Sequence, residues 1–254
     1  MCKHSGLTTV AEQSDARRVA VVCVHTLQRH SPQPGDRSRS LQQKWSMPEP
    51  IETVRQHIAC SYANLARAHA AVESGLHSYS RTHHMIRARL FKGLSTGTMS
   101  MRSLYDDEKV KLNAPKACCY CGATVALTID HLIPKIKGGP DYADNLVWAC
   151  KSCNSSKSDI DLLEWCKSKR TFPSLLLLRR YTKLIAKYCE QHELLDALLI
   201  DVQQRNLPFR LDLLPYSFPA LNSLVLWVSA IESPSQVAEG SEQSGEPELP
   251  FTVV

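Results

Sequence analysis

The chain has 254 residues, 43% of them hydrophobic and 22% charged, a globular composition that excludes a fibrous repeat and wholesale disorder. Its apolar runs, such as residues 19–24 and 175–178, are too short to cross a bilayer, so we expect no membrane association. The net charge is +5, although residues 231–254 contain five acidic and no basic side chains. The positive charge therefore lies in the preceding part of the chain and favours a polyanionic partner.

The first half of the chain divides into an irregular segment and a helical one. Residues 1–47 lack sustained periodicity and end in a stretch rich in Ser, Pro, Gln and Arg, so we predict a disordered N-terminal extension. Apolar residues then recur at three- and four-residue steps as far as Val72, and a second amphipathic segment begins near Ser78. This pattern predicts a helical hairpin over residues 48–95.

The second half predicts a small cysteine-rich module followed by more helices. The module occupies residues 104–158, and amphipathic segments indicate a helical C-terminal region over residues 159–231. Residues 232–254 are acidic and rich in Ser, Gly and Pro, so we predict a disordered tail. The expected fold class is mainly α with a small embedded α+β module.

Five of the ten cysteines fall between Cys118 and Cys153, and four of them form the C-x-x-C pairs Cys118/Cys121 and Cys150/Cys153. Two such pairs supply four thiolates to a tetrahedral ion and leave no coordination position open, so they predict structural Zn²⁺. Cys119 is an alternative ligand, and reduced cysteines buried together are the alternative to a metal site. Clustering of this kind is typical of a reducing compartment, so we expect a cytoplasmic protein.

The residues between and after the cysteine pairs predict a hairpin and a helix. β-Branched residues at 125–129 favour a strand that delivers Asp130-His131 at its end. Proline and two glycines enforce a loop, and residues 146–149 favour a short returning strand. The second cysteine pair then begins a helix on which Asn154 and Lys157, three residues apart, share a face.

These residues resemble the HNH, or ββα-metal, endonuclease family, in the branch whose module carries a four-cysteine zinc. The match reads C-x-x-C, D-H-x-x-P, G-G, D-N-L and C-x-x-C-N-x-x-K, and it covers residues 118–157. By this resemblance His131, Asn145 and Asn154 are the three family residues, and the last is Asn where many members have His. The resemblance implies a zinc-stapled ββα-metal HNH motif between helical flanks. It also implies an endonuclease that acts on DNA, with RNA as the alternative substrate.

The residue types suit phosphodiester hydrolysis. Histidine is the side chain best suited to take a proton from water near neutral pH, so His131 is the candidate base. Asp130 and Asn154 offer oxygen ligands to one Mg²⁺ or Mn²⁺. We expect Asn145 to position the His131 loop by hydrogen bonding. Three lysines are expected to contact phosphates: Lys135, Lys137 and Lys157.

Other interpretations of the same residues stay open. The module could bind nucleic acid through a zinc-stabilised fold without cleaving it, and the helical flanks could act as a protein–protein adaptor. Lys135 and Lys137 are also compatible with solvated loop charges. The basic residues of the second predicted helix do not share one narrow stripe, so the sequence does not decide whether that helix follows phosphates. They are Arg81, Arg87, Arg89 and Lys92.

Overall fold

The structure, a computed structural model, describes residues 50–101 and 103–231. The chain divides into two units, and all the helices and strands described below belong to the second, Glu52–Val254. The segments predicted to be disordered, residues 1–47 and 232–254, lie outside the described residues.

The described chain forms seven α-helices and one two-stranded antiparallel sheet. The α-helices are α1 (Val54–Glu73), α2 (Arg81–Ser95), α3 (Tyr105–Asn113), α4 (Lys151–Lys157), α5 (Leu162–Ser168), α6 (Leu175–Gln191) and α7 (Leu199–Gln203). The strands are β1 (Leu127–His131) and β2 (Leu146–Cys150), and short 3-10 helices lie at Lys135–Lys137, Ala143–Asn145, Leu211–Leu213 and Leu221–Ser223. The predicted fold class, mainly α with a small ββα module, is confirmed.

Helix α1 begins at Val54, inside the hairpin predicted over residues 48–95. Thr53 has extended backbone geometry, and its hydroxyl accepts a hydrogen bond from the Gln56 N–H at 3.2 Å. The Gln56 side chain in turn accepts from the Thr53 N–H at 3.0 Å. This reciprocal capping satisfies two backbone donors at the helix end, so the helix starts at Val54.

One hydrophobic core joins the helices to the small sheet. Buried residues of α1, the hairpin, α5 and α6 belong to a single cluster, which includes Val54, Ile58, Leu65, Leu132, Ile133, Val147, Leu162, Leu178 and Tyr181. A two-stranded hairpin is at best marginally stable alone, and here the helices bury its apolar face. The sheet therefore depends on the helical flanks for its core.

Asp161 connects three segments at the edge of this core. Its side chain caps α5 by accepting from the Leu163 N–H at 2.8 Å, and it also accepts from the Tyr181 hydroxyl and from the Arg210 N–H at 3.0 Å. Burial and the neighbouring carboxylate raise the pKa of Tyr181, so its phenol stays a proton donor. One carboxylate thus ties α5, α6 and residue 210 together.

The C-terminal region was predicted to be helical over residues 159–231, but its last α-helix ends at Gln203. Residues 192–203 contain only the short helix α7, because Glu193 adopts a left-handed conformation with φ of 55°. The segment that follows is largely irregular. In its last part, the carbonyls of Val225 and Leu226 accept hydrogen bonds from the N–H groups of Leu175 and Leu176, the first residues of α6. Val225 and Leu226 therefore cap the start of α6, and residues 225–231 form no helix.

No helix in the described ranges combines the length and the apolar character that crossing a membrane requires. The eight cysteines in these ranges are all free thiols, with no disulfide between them. Disulfides therefore do not stabilise this part of the fold, which depends on its core and on polar contacts.

Burial of His57 is expected to make folding depend on pH. In α1 its Nε2 lies 2.7 Å from the Leu211 carbonyl oxygen, and its Nδ1 faces the Tyr216 hydroxyl. Burial lowers the pKa of His57 below its ordinary value of 6.5, although the Leu211 carbonyl and Asp212 oppose this shift. The unfolded chain therefore takes up this proton first as the pH falls below about 6.5. The free energy of unfolding should decrease from there down to the folded-state pKa.

Urea unfolding between about pH 8 and pH 5 tests this expectation. The His57→Gln variant should lose less stability on acidification than the wild type, because it lacks the buried side chain whose pKa is lower in the folded than in the unfolded chain. His77→Gln is the control, since His77 is exposed. An equal acid dependence in wild type and His57→Gln would contradict the assignment.

Candidate functional site

The four paired cysteines lie together in space. Every pair of their sulfur atoms is within 4.8 Å, and the sulfurs of Cys121 and Cys150 are 3.7 Å apart. This separation is far longer than the roughly 2.05 Å of a disulfide. It agrees with the distance of about 3.8 Å between thiolates that surround Zn²⁺ tetrahedrally at about 2.3 Å. The cluster could therefore bind a structural zinc ion.

Two tight turns bring these sulfurs together. In the first, the Gly122 N–H donates to the Cys118 carbonyl at 2.8 Å, with Gly122 at a φ of 81° that favours glycine. A Cβ atom at Gly122 would also collide with the Ser229 carbonyl. In the second, the Cys150 sulfur accepts from the Cys153 N–H at 3.4 Å and caps α4. The turns thus form through backbone hydrogen bonds as well as side-chain chemistry.

Cys119 is not part of the cluster. Its N–H donates to the Trp148 carbonyl at 2.9 Å, and its side chain is buried in the core. Burial raises the pKa of the Cys119 thiol well above its ordinary value, and the four sulfur atoms that lie within 4.8 Å of one another do not include that of Cys119. The four-ligand set predicted from the paired spacing is the one that the structure brings together.

The hairpin places Asp130 and His131 on opposite faces. Strand β1 begins at Leu127, two positions later than the predicted strand, and it includes both residues. Asp130 pairs with Val147 of β2, and His131 pairs with Leu146. Because successive side chains of a strand alternate, Asp130 points into the core and His131 stays partly exposed. The two residues therefore have different environments despite being adjacent.

Asn145 holds the loop that follows His131. Its side chain is fully buried, its Oδ1 accepts from the Ile133 N–H at 2.8 Å, and its Nδ2 donates to the carbonyls of Ile133 and Pro140 at 2.8 Å each. The Asn145 carbonyl also accepts from the Leu132 N–H at 2.9 Å. These contacts satisfy the whole amide inside the loop.

Two helices outside the motif hold the turn that carries Asn145. Arg180 of α6 donates to the carbonyls of Ala143 and Asp144 at 2.8 and 2.6 Å and pairs with Glu108 of α3. Lys111 of α3 donates to the Ala143 carbonyl at 3.2 Å. No role for Arg180 was predicted from the sequence, because its partners include backbone carbonyls that no motif reveals.

Asp141 is a site residue that sequence reasoning missed. One of its carboxylate oxygens lies 2.9 Å from Nε2 of His131, and the other pairs with Lys135. Hydrogen bonds from Lys135 and His131 hold the pKa of Asp141 below its ordinary value. Its position directly after the Gly-Gly-Pro turn was the only signal available in the sequence. Lys135 is thus engaged with a carboxylate, whereas Lys137 is exposed on the same loop.

A buried network surrounds Asp130. Its carboxylate is 5% exposed and lies 3.1 Å from the Lys157 ammonium, which is completely buried. The Tyr120 hydroxyl donates to the same carboxylate at 2.6 Å, and Lys157 also donates to the His131 carbonyl at 2.7 Å. Burial and the nearby carboxylate raise the pKa of Tyr120, so the phenol remains a donor.

Lys157 therefore differs from its expected place at a phosphate. Its ammonium has no exposed surface and donates its hydrogen bonds to Asp130 and to β1. A phosphate contact would require this side chain to leave the core and abandon a buried ion pair, which is unfavourable. In this structure Lys157 joins α4 to β1.

Asn154 lies on the same face of α4 and also contacts β1. Its Nδ2 donates to the Ile129 carbonyl at 3.2 Å, so its Oδ1 is the atom left to accept a cation. Carboxylate and amide oxygens are ligands that Mg²⁺ and Mn²⁺ accept, so the donor chemistry of Asp130 and Asn154 fits such an ion. A cation at Asp130 would take the place of the Lys157 ammonium.

Comparison with known proteins agrees with the motif. Residues 118–159 match the family model described as HNH endonuclease, so the family resemblance seen in the sequence is confirmed for this segment. The match includes the four clustered cysteines. No curated protein and no solved structure was found to match the chain. The HNH segment indicates a nuclease or nucleic-acid-binding function.

Removal of either partner of the buried pair of Asp130 and Lys157 should destabilise the fold. Lys157→Met leaves a buried carboxylate without a counter-charge, and Asp130→Asn leaves a buried ammonium, so each should cost about 3–5 kcal/mol. The double variant should cost less than the sum of the two, because neither charge then remains uncompensated.

Denaturant unfolding of the single and double variants measures this coupling. Lys151→Met is the matched control, since Lys151 is an exposed lysine of the same helix and should change stability little. Equal stability of Lys157→Met and Lys151→Met would show that the pair does not hold α4 to β1.

Proposed function

We propose that this chain is a divalent-metal-dependent HNH endonuclease that hydrolyses phosphodiester bonds in DNA. One observation carries the proposal: His131 stands partly exposed at the end of β1, oriented by Asp141, with its loop clamped by Asn145. The HNH match over residues 118–159 supports the reaction class. Free thiols and a four-cysteine cluster support a reducing compartment, the cytoplasm.

In this proposal His131 is the general base. If its Nε2–H donates to Asp141, the lone pair of Nδ1 can accept a proton from the attacking water. The Asp141 carboxylate then stabilises the imidazolium that forms, as an orienting carboxylate does for other catalytic histidines. Asn145 contributes by fixing the backbone that follows His131, so the ring keeps its direction.

Asp130 and Asn154 would hold the divalent cation, with Lys157 displaced from the carboxylate. When bound, Mg²⁺ or Mn²⁺ supplies positive charge that stabilises the pentacoordinate phosphorus and the leaving oxygen. Lys137 is exposed on the loop after His131 and is suited to contact a phosphate. Lys135 would have to exchange its contact with Asp141 for one.

Plasmid cleavage tests the roles of these side chains. Supercoiled DNA with Mg²⁺ or Mn²⁺ should be nicked or linearised by the wild type, and EDTA or His131→Ala should abolish the products. Loss of a general base alone typically costs about 10²–10⁴-fold in rate. Asp130→Asn and Asn154→Ala should also lose cleavage. Because Asp130→Asn also removes one partner of a buried ion pair, its cleavage is assayed at a temperature at which circular dichroism shows the variant to be folded. Cleavage by His131→Ala at the wild-type rate would exclude the proposed base.

We further propose that the four cysteines bind Zn²⁺ in a structural role. A module of this size has a small core, and a metal cross-link between its two turns would supply folding free energy. Four thiolates complete a tetrahedral coordination sphere, so this ion would not take part in hydrolysis.

Zinc content and thermal unfolding test the structural role. Cys118→Ser and Cys150→Ser should reduce bound zinc from one equivalent towards zero and lower the Tm, because each removes a thiolate ligand. Cys119→Ser is the matched control: it alters a neighbouring buried thiol outside the cluster and should keep the metal. Loss of zinc in Cys119→Ser with retention in Cys118→Ser would reverse the assignment.

Burial of Asp130 favours a second candidate function. Its carboxylate is already paired with Lys157 and Tyr120, an arrangement that a module needing no catalytic cation could also use. Such a module would bind nucleic acid through its zinc-stabilised fold without cleaving it. Salt-sensitive DNA binding, with no metal-stimulated cleavage by the wild type, would favour this alternative.

A further inference from the structure

The segment around α2 has an unusual charge composition. Between Ser74 and Tyr105 the sequence contains no aspartate or glutamate, although it contains four arginines and one lysine. Helix α2 (Arg81–Ser95) lies inside this segment and accordingly carries no acidic side chain. A surface helix normally mixes charges of both signs, so this helix is a source of uncompensated positive charge.

The structure separates the basic residues of α2 into two groups. Arg87 turns towards α1, where its Nε donates to the Asn64 side chain at 2.8 Å. Arg81, Arg89 and Lys92 are instead exposed, and their spacing of eight and three residues places them on one side of the helix. We call these three residues the outer face of α2. The four basic residues of α2 do not share one stripe, but the three that remain after Arg87 is excluded do.

No carboxylate in the described ranges forms an ion pair with the outer face. Elsewhere in the fold, Arg55 pairs with Asp196 and Arg179 pairs with Asp107, while Arg180 and Arg210 have carboxylate partners as well. Those pairs neutralise charge within the protein. The outer face of α2 therefore presents charge that an external anion can neutralise.

The apolar side of α2 limits which anion this can be. Leu90, Phe91 and Leu94 pack with Ala59 and Tyr62 of α1, so they are not available to insert into a lipid surface. An interfacial membrane helix needs such an apolar face to be accessible. A phosphate backbone needs only exposed cations, which the outer face supplies.

We propose that the outer face of α2 binds the phosphate backbone of duplex DNA, as a contact surface outside the HNH segment. This inference rests on the proposed function, since it names where the nucleic acid is also held. Residues 81–92 span about 16 Å along the helix axis. A straight helix of that length reaches about three successive phosphates of one strand, because the strand winds round the duplex as it rises about 3.4 Å for each phosphate. The three cations can therefore each meet a separate phosphate.

The test measures binding without cleavage. In the His131→Ala background, the triple variant Arg81→Ala/Arg89→Ala/Lys92→Ala is titrated against a fluorescent duplex at several salt concentrations, beside a control that removes three exposed cations elsewhere. The control is Lys109→Ala/Lys167→Ala/Arg205→Ala. Alanine favours helix, and circular dichroism checks that α2 persists.

The outer-face variant should bind at least about tenfold more weakly than the control near 0.1 M salt. Its slope of log K against log salt should fall by about 0.9 for each phosphate that the variant no longer neutralises. Equal binding by the two triple variants, or no binding of duplex DNA by the parent protein, would overturn the inference. The inference would also be overturned if the outer-face variant lost binding only when anionic vesicles or RNA replaced the duplex as the ligand.

Cleavage of plasmid by the wild type is measured separately. If the wild type binds DNA without cutting it, the endonuclease proposal fails while the comparison of the two triple variants still decides the role of α2. If the wild type cuts and the outer-face variant binds like the control, the endonuclease stands and this inference fails.

Discussion

The loop between β1 and β2 is held from its inner and outer sides, and the geometry around His131 depends on this. On the inner side the Asn145 amide bonds to the backbone of Ile133 and Pro140. On the outer side Arg180 of α6 donates to the carbonyls of Ala143 and Asp144. Backbone groups that would otherwise be unpaired are thus satisfied by two side chains. These hydrogen bonds therefore fix the backbone that follows His131.

The Asp130–Lys157 pair shows how stability and chemistry compete in one site. The pair joins α4 to β1 inside the core, and its separation would leave a buried charge. The proposed cation would have to bind the same carboxylate. The lysine keeps the carboxylate paired in the folded module, and in the proposed mechanism metal binding would have to offset the displacement of the lysine.

The helical flanks are part of the site as well as its scaffold. Helix α6 supplies both core residues and Arg180, while α3 supplies the carboxylate of Glu108 that pairs with it. Extended residues near the C-terminal end of the described chain also pack on the first cysteine turn, where the Ile231 N–H donates to the Gly122 carbonyl at 2.8 Å. A fragment limited to residues 118–159 would lack all of these neighbours, so we expect the HNH segment to need its flanks.

Several residues of the candidate site could be identified from the sequence alone. The paired cysteines were identifiable because their spacing is that of tight metal-binding turns, and Asp130, His131 and Asn145 were identifiable because the sequence around them resembles the HNH motif. The roles of Asp141, Lys157 and Arg180 were decided only by the tertiary structure. Their partners lie in other segments or on the backbone, and the distances that make an ion pair or a buried cation are set by how the helices pack around the hairpin.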